Sequence, residues 1–183
     1  MHAITTTYNT NKDLVITLKD GAGNALSGVK VSVDLNGAKI YTTDKNGQVK
    51  VQTKGLAPKT YTAKITFNGN TIYAKSTKNV KVTVKKATPK ILAKKKTFKK
   101  SVKTKKYTIT LKDNTGKPIK NAKVRLIVKK ITKKTNKKAK TNKKGKETFK
   151  VKRNKKGKYT AIVKYYGNKY YKAITKKAKI IIK

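Results

Sequence analysis

The stretch Leu14-Val-Ile-Thr-Leu-Lys-Asp-Gly-Ala-Gly-Asn-Ala-Leu-Ser-Gly-Val-Lys-Val-Ser-Val33 decides the fold of this chain. Leu14, Ile16 and Leu18 alternate with Val15 and Thr17, and Val29, Val31 and Val33 alternate with Lys30 and Ser32. That period of two puts one face of a strand into a core. Turn residues occupy Gly21 to Gly28, so the stretch reads as a hairpin-like pair of strands. A second copy, Tyr107-Thr-Ile-Thr-Leu-Lys-Asp-Asn-Thr-Gly-Lys-Pro-Ile-Lys-Asn-Ala-Lys-Val-Arg-Leu126, keeps the alternation. It sets Asp113, Gly116 and Ile119 where Asp20, Gly23 and Leu26 stand.

The residues C-terminal to each copy also repeat. Asn36-Gly37 is a two-residue turn signal, since both residue types tolerate positive φ, and Ile40 to Thr43 returns from it. Asp44-Lys45-Asn46-Gly47 turns the chain into Val49 and Val51. Tyr61 to Phe67 reads as a central strand with Tyr61, Ala63, Ile65 and Phe67 on one face. Asn68-Gly69 is expected to fold Thr71-Ile72-Tyr73 back against it, and Val80, Val82 and Val84 form the last strand. In the second copy Thr141 to Gly145 matches Thr43 to Gly47, and Tyr159 to Ala161 matches Tyr61 to Ala63. One difference is an insert, Lys129 to Lys140, expected to form a basic hairpin or loop. No helical period of useful length occurs. About seven short strands per copy, with turn signals roughly every 8 to 12 residues, predict an all-β chain of two tandem immunoglobulin-like β-sandwiches. The expected boundaries are 1–86 and 87–183, joined by Lys85-Lys86-Ala87-Thr88-Pro89, whose proline cannot extend a ladder. Met1-His2-Ala3-Ile4 reads as part of an opening strand that the second copy has in fuller form at Ile91-Leu92-Ala93. We therefore expect a fragment of a longer, monomeric chain with a truncated first strand.

Charge is shared unevenly. The first unit has 14 lysines against Asp13, Asp20, Asp34 and Asp44, about +10; the second has 37 Lys plus Arg against Asp113 and Glu147, about +35. A surface that basic repels itself and favours anionic company, although an AT-rich coding bias toward lysine accounts for the composition equally well. Arg125 and Arg153 are the only arginines, whereas readers of bases favour arginine for its bidentate fork. Cysteine is absent, which excludes disulfide staples, thiolate metal sites and thiol nucleophiles. No run approaches the ~18 apolar residues of a membrane span.

The phrase Asp-x-x-Gly-x-Pro/Ala-Leu/Ile followed by alternating valines stands at Asp20 to Val33 and Asp113 to Leu126. With Thr43-Asp-Lys-Asn-Gly47 and the Tyr-Thr-Ala of 61–63 and 159–161, it resembles the bacterial immunoglobulin-like repeats of invasin, intimin and archaeal adhesin-like surface proteins. The lysine-rich character is similar to methanogen versions of these repeats. The resemblance covers nearly the whole chain and implies an extracellular location, on a cell surface or cell wall. It implies adhesin or stalk function, with neighbouring cells or a host surface as possible contacts. Its motifs are turns and core positions, which specify a fold better than a ligand.

Tyr61 and Tyr159 stand where a tyrosine corner would bond nearby backbone. Glu147 precedes Phe149 and Val151 at period two and is expected to point inward, paired with a lysine. Acid–base catalysis needs convergent titrating groups; the second unit has two carboxylates, and His2 stands alone, so no enzymatic activity, catalytic residue, metal site or cofactor is expected. The recognition candidate is Tyr165-Tyr166-Gly167-Asn168-Lys169-Tyr170-Tyr171, read as a hairpin with Tyr165 and Tyr171 inward and Tyr166 and Tyr170 outward. Beside Lys164, Lys169 and Lys172, the outward pair fits either stacking on sugars or bases or an ordinary cross-strand aromatic contact. The insert lysines Lys129, Lys130, Lys133, Lys134, Lys137, Lys138 and Lys140 are the second candidate. The expected ligand is an acidic envelope polymer or glycan, or an anionic partner surface; nucleic acid, or purely structural spacer repeats, are the alternatives.

Overall fold

The computed structural model describes residues 2–130 and 133–183. The chain divides into two compact units, Met1–Lys86 and Ala87–Lys183, and strands are the regular element in both.

The first unit contains β1 (Ile4–Thr7), β2 (Asp13–Thr17), β3 (Lys30–Asp34), β4 (Ala38–Thr42), β5 (Gln48–Gln52), β6 (Thr60–Phe67) and β7 (Ser76–Lys85). One sheet has the order β1-β7-β6-β3-β4, the other is β2-β5, and pairing is antiparallel except for β1, which runs parallel to β7. Leu14, Ile16, Val49 and Val51 from the small sheet meet Val31, Val33, Ala63, Ile65, Val80 and Val82 from the large one in a single core.

This topology corrects the reading of residues 14–33. β2 and β3 do not pair; they lie in opposite sheets, and the segment between them crosses the sandwich edge. Both strands aim period-two apolar faces at one core, and a two-layer sandwich needs those faces on opposite sides of it. The crossing is fastened by buried Thr43, whose hydroxyl donates to the Leu26 carbonyl at 2.6 Å and accepts from the Val29 N–H at 3.1 Å. Thr141 does the same with the Ile119 carbonyl at 2.6 Å and the Ala122 N–H at 3.0 Å.

The repeated acidic turns have an equally local cause. Asp20 Oδ1 accepts from the N–H groups of Ala22 and Asn24 at 3.0 and 2.8 Å, and Asp113 Oδ1 from those of Thr115 and Lys117 at 2.9 Å each. Those bonds hold the Asp20 carboxyl below the usual carboxylate range, the Asn24 side chain contributing most. Gly47 and Gly145 both have φ of 66°, and a Cβ there would lie 2.5 Å from the carbonyl oxygen of Leu18 or Leu111. Only glycine fits that approach.

The second unit contains β8 (Lys90–Leu92), β9 (Lys96–Phe98), β10 (Lys105–Lys112), β11 (Lys123–Lys130), β12 (Lys133–Lys140), β13 (Lys146–Val151), β14 (Gly157–Tyr165) and β15 (Ile174–Ile182). Its sheets run β13-β10-β8 and β12-β11-β14-β15-β9. β9, parallel to β15 as β1 is to β7, is the counterpart of β1, so the opening strand at Ile4 matches Lys96 rather than Ile91-Leu92-Ala93 as the sequence suggests. The basic insert lengthens the β11–β12 hairpin, which pairs from Lys123 with Lys140 out to Lys130 with Lys133. The tyrosine corners are present: the Tyr61 hydroxyl donates to the Ala57 carbonyl at 2.9 Å and that of Tyr159 to the Lys155 carbonyl at 2.7 Å.

A second correction concerns Thr71-Ile72-Tyr73, which is not a strand. β6 pairs with β7 starting at Phe67 with Ser76, leaving 68–75 as a loop. Asn70 Oδ1 accepts from the N–H groups of Ile72 and Tyr73 at 2.9 and 2.8 Å, a local closure that competes with the ladder. Residues 166–173 repeat it with Asn168 bonding the N–H groups of Tyr170 and Tyr171. The expected Tyr165–Tyr171 hairpin is therefore a loop, and Tyr165 pairs with Ile174.

Two polar side chains depart from simple alternation. Lys105 is 1% exposed, and its ammonium donates to the carbonyls of Val102 at 2.6 Å and Lys100 at 3.2 Å. Glu147 is half-buried opposite Ile109, and desolvation pushes its carboxyl above the usual range. The lysine partner expected for it is not among the described contacts.

This packing makes two variants informative about stability. Ile109, 1% exposed, lies in the second core; Ile109→Asp buries an unpaired charge costing several kcal/mol against a total of ~5–15. Calorimetry should show one transition lost and the first unit's retained; loss of both would join the units into one folding body. Among the described residues, the buried Tyr165 hydroxyl has no hydrogen-bond partner, where the first unit has Phe67. Tyr165→Phe should stabilise the second unit by about 1 kcal/mol, read as a higher denaturant midpoint at unchanged slope.

Candidate anion-binding face

Alternation along β11 buries Val124, Leu126 and Val128 and turns Lys123 and Arg125 to the outer face. Register then assembles the neighbours. Arg125 lies opposite Lys138 on β12 and Lys164 on β14, and Lys123 lies opposite Lys140. Directly opposed residues in antiparallel strands share a face, so the sheet itself gathers these cations into rows.

Arg125 is held on both sides. Its Nε donates to Asn136 Oδ1 at 2.5 Å and its Nη1 to the Tyr166 hydroxyl oxygen at 3.3 Å. Tyr166 comes directly after the last residue of β14 and is 52% exposed. Between them runs an open groove of about 550 Å³, lined by Lys123, Arg125, Lys138, Lys140 and Tyr166. The two carboxylates of the unit are occupied elsewhere, Asp113 in its turn and Glu147 in the opposite sheet. A planar guanidinium oriented by Asn136 and the Tyr166 hydroxyl, in a groove lined by ammonium groups, suits a carboxylate, sulfate or phosphate.

The structure thus brings together Lys138 and Lys140 of the insert with Lys164 and Tyr166 of the tyrosine-rich stretch. It separates others. Lys137 lies opposite Leu126, on the other face of the sheet. The Lys130 ammonium sits 5.9 Å from the Tyr159 ring centroid, and Lys129 lies opposite Thr160 on β14. The backbones of Lys133 and Lys134 pair with Lys130 and Lys129, while their side chains, like Ile131 and Thr132, lie outside the described residues. Tyr170, Lys169 and Lys172 belong to the 166–173 loop and do not line the groove; the Lys169 ammonium lies 4.9 Å from the Tyr170 ring centroid. Tyr165 and Tyr171 are buried, as expected. Arg125, Lys123 and Asn136 are site residues that sequence reasoning does not single out. One signal for them exists: Arg125 is one of two arginines in a lysine-rich chain, at an outward position between Val124 and Leu126.

The loop carrying Tyr166 is tied down. Tyr171 bridges Ala87 in parallel, with the Ala87 N–H donating to the Tyr170 carbonyl at 3.0 Å and the Lys172 N–H to the Ala87 carbonyl at 2.9 Å. The Tyr171 hydroxyl also donates to Asp113 Oδ2 at 3.4 Å. Among the described residues, no group of three or more His, Asp or Glu could hold a metal ion, and no helix is long and apolar enough to cross a membrane.

No family profile matches the chain, and no curated protein matches it by sequence. Similar solved structures include invasin, a bacterial integrin-binding protein, at 17% identity over 91% of this chain and 38% of that one, TM-score 0.46. The D0-D1 domain of intimin is 17% identical over 97% of this chain and 94% of that one, TM-score 0.36. A tetra-tandem repeat from the extending region of a large adhesion protein is 12% identical over 95% and 50%, TM-score 0.47. The chain spans half or less of the invasin and large-adhesin structures.

Asp113 couples its own turn to this loop, so its removal should be felt at Tyr171. Asp113→Ala takes away a carboxylate accepting several hydrogen bonds and should cost about 2 kcal/mol. The Tyr171 ring resonance should shift in the same variant; an unchanged resonance would uncouple turn from loop.

Proposed function

We propose that this chain is a non-enzymatic cell-surface adhesin or stalk module whose second unit attaches to an acidic envelope polymer or glycan. The first unit serves as a spacer. The observation carrying this reading is the outer-face groove, in which Arg125 is oriented by Asn136 and Tyr166 and surrounded by Lys123, Lys138 and Lys140. A charge of about +35 on one unit supplies long-range attraction, and screening confines it to about 8 Å at physiological salt. The fixed arginine and exposed ring add the shape-dependent part.

Retention of the full chain on immobilised polygalacturonate and on duplex DNA, over a rising salt gradient, tests the proposal. The expected result is elution from polygalacturonate at higher salt than from DNA. Arg125→Ala with Tyr166→Ala should weaken polygalacturonate binding about tenfold, near 1.4 kcal/mol, while removing only one charge. Lys138→Ala with Lys140→Ala should mainly flatten the salt dependence. Stronger retention on DNA would support nucleic-acid binding instead, and no retention on either would leave a spacer.

A further inference from the structure

The groove beside Arg125 lies on the outer face of the larger sheet of the second unit. The smaller sheet has an outer face of its own, turned the opposite way because the two layers share one core. Along β10 the outward residues are Lys106 and Thr108, with half-buried Thr110 next on that face. Register sets Lys106 opposite Lys150, Thr108 opposite Thr148 and Thr110 opposite Lys146 on β13, and Thr110 opposite Leu92 on β8.

Over these rows lies an open groove of about 390 Å³ whose lining includes Leu92, Lys94, Lys95, Lys106, Thr108 and Thr110. One wall is fixed from inside the core. The hydroxyl of buried Tyr107 donates to the Lys94 carbonyl at 2.8 Å, which pins the 93–95 segment between β8 and β9. On the floor, the Thr108 and Thr148 hydroxyls share a hydrogen bond at 2.9 Å. Among the described residues, no acid lines the groove; Glu147 of β13 lies opposite buried Ile109, on the inner face.

The first unit is an internal control for composition. Its residues at the matching paired positions are Asp13 with Gln52, Val15 with Lys50 and Thr17 with Gln48, so Asp13 offsets Lys50 and the face carries no net charge. The second unit has Lys106 with Lys150, Thr108 with Thr148 and Thr110 with Lys146 there. A general drift toward lysine does not explain a lysine giving way to threonine at the centre of the face, Lys50 to Thr148, while cations gather around it.

We propose that this groove is a second binding site for an acidic sugar chain, so that one unit holds two chains, one on each sheet. The proposal rests on the attachment function proposed above. Lys94, Lys95 and Lys106 meet carboxylates, the threonine hydroxyls meet sugar hydroxyls, and Leu92, 37% exposed, takes the apolar side of a ring. A short oligomer reaches one face at a time, whereas two sites on opposite faces tie neighbouring polymer chains together.

The test follows NMR shifts of the full chain titrated with tetragalacturonate in about 0.15 M salt. Resonances of Lys106, Thr108 and Thr110 should move as well as those of Lys123, Arg125 and Tyr166, each set with its own saturation. Lys94→Ala with Lys95→Ala and Lys106→Ala should weaken binding at the first set about tenfold and leave the second unchanged. A charge-matched variant on β15, Lys176→Ala with Lys177→Ala and Lys179→Ala, should leave both sets nearly unchanged. Thr108→Val, which removes a hydroxyl and no charge, should weaken the first set about threefold. Shifts confined to the Arg125 groove, or equal losses at the Lys106 set from the two triple variants, overturn this proposal while the attachment function stands. No shift in either set overturns both.

Discussion

The fold depends on keeping ammonium groups in water while strands bury every second side chain. With 51 basic and six acidic residues, most cations have no carboxylate to pair with, and an unpaired buried charge is far costlier than any single contact is favourable. Alternation solves this along most strands: β10 buries Tyr107, Ile109 and Leu111 and exposes Lys106 and Thr108. Lys105 is the exception, and it obeys the same rule by another route. Two carbonyls of the 99–104 segment replace the water its ammonium gives up. The cation thereby closes the loop that feeds β10.

Within that constraint, the turns and fasteners specify topology. The buried threonines Thr43 and Thr141 each join the end of one strand to the crossing between sheets. The Asp20 and Asp113 turns and the close-approach glycines Gly47 and Gly145 fix where each crossing starts and what it rests against. These positions are what the tandem copies share, which is why a lysine insert at Lys129 to Lys140 could lengthen one hairpin without disturbing the sandwich around it.

Fold class, strand faces, tandem organisation and the tyrosine corners are legible in the sequence because each rests on local period or local turn chemistry. Pairing partners are less so. The run from Leu14 to Val33 has the periodicity of a hairpin, and only the need for two layers around one core distinguishes a crossing from a hairpin. Residues 71–73 mislead because an asparagine side chain can satisfy the backbone that a strand would otherwise pair, and composition does not show which wins. The candidate site is half visible. Tyr166, Lys138, Lys140 and Lys164 are conspicuous by type, but only register places them around Arg125.

The strand order has one further physical consequence. In each unit the opening strand of the larger sheet lies parallel to the closing one: β1 beside β7 across Ile4 to Thr7, and β9 beside β15 across Lys96 to Phe98. If a unit is stretched by these two segments, tension runs along the shared row of hydrogen bonds. The bonds are then strained together in shear, whereas an antiparallel pair opened at its end would peel them one by one. Resistance to such pulling is a matter of unfolding rate rather than equilibrium stability. The first sandwich thus sets this parallel clamp between β1 and β7. In the second, β8 precedes β9 and pairs with β10 in the other sheet, so a load entering at Ala87 meets that pairing first.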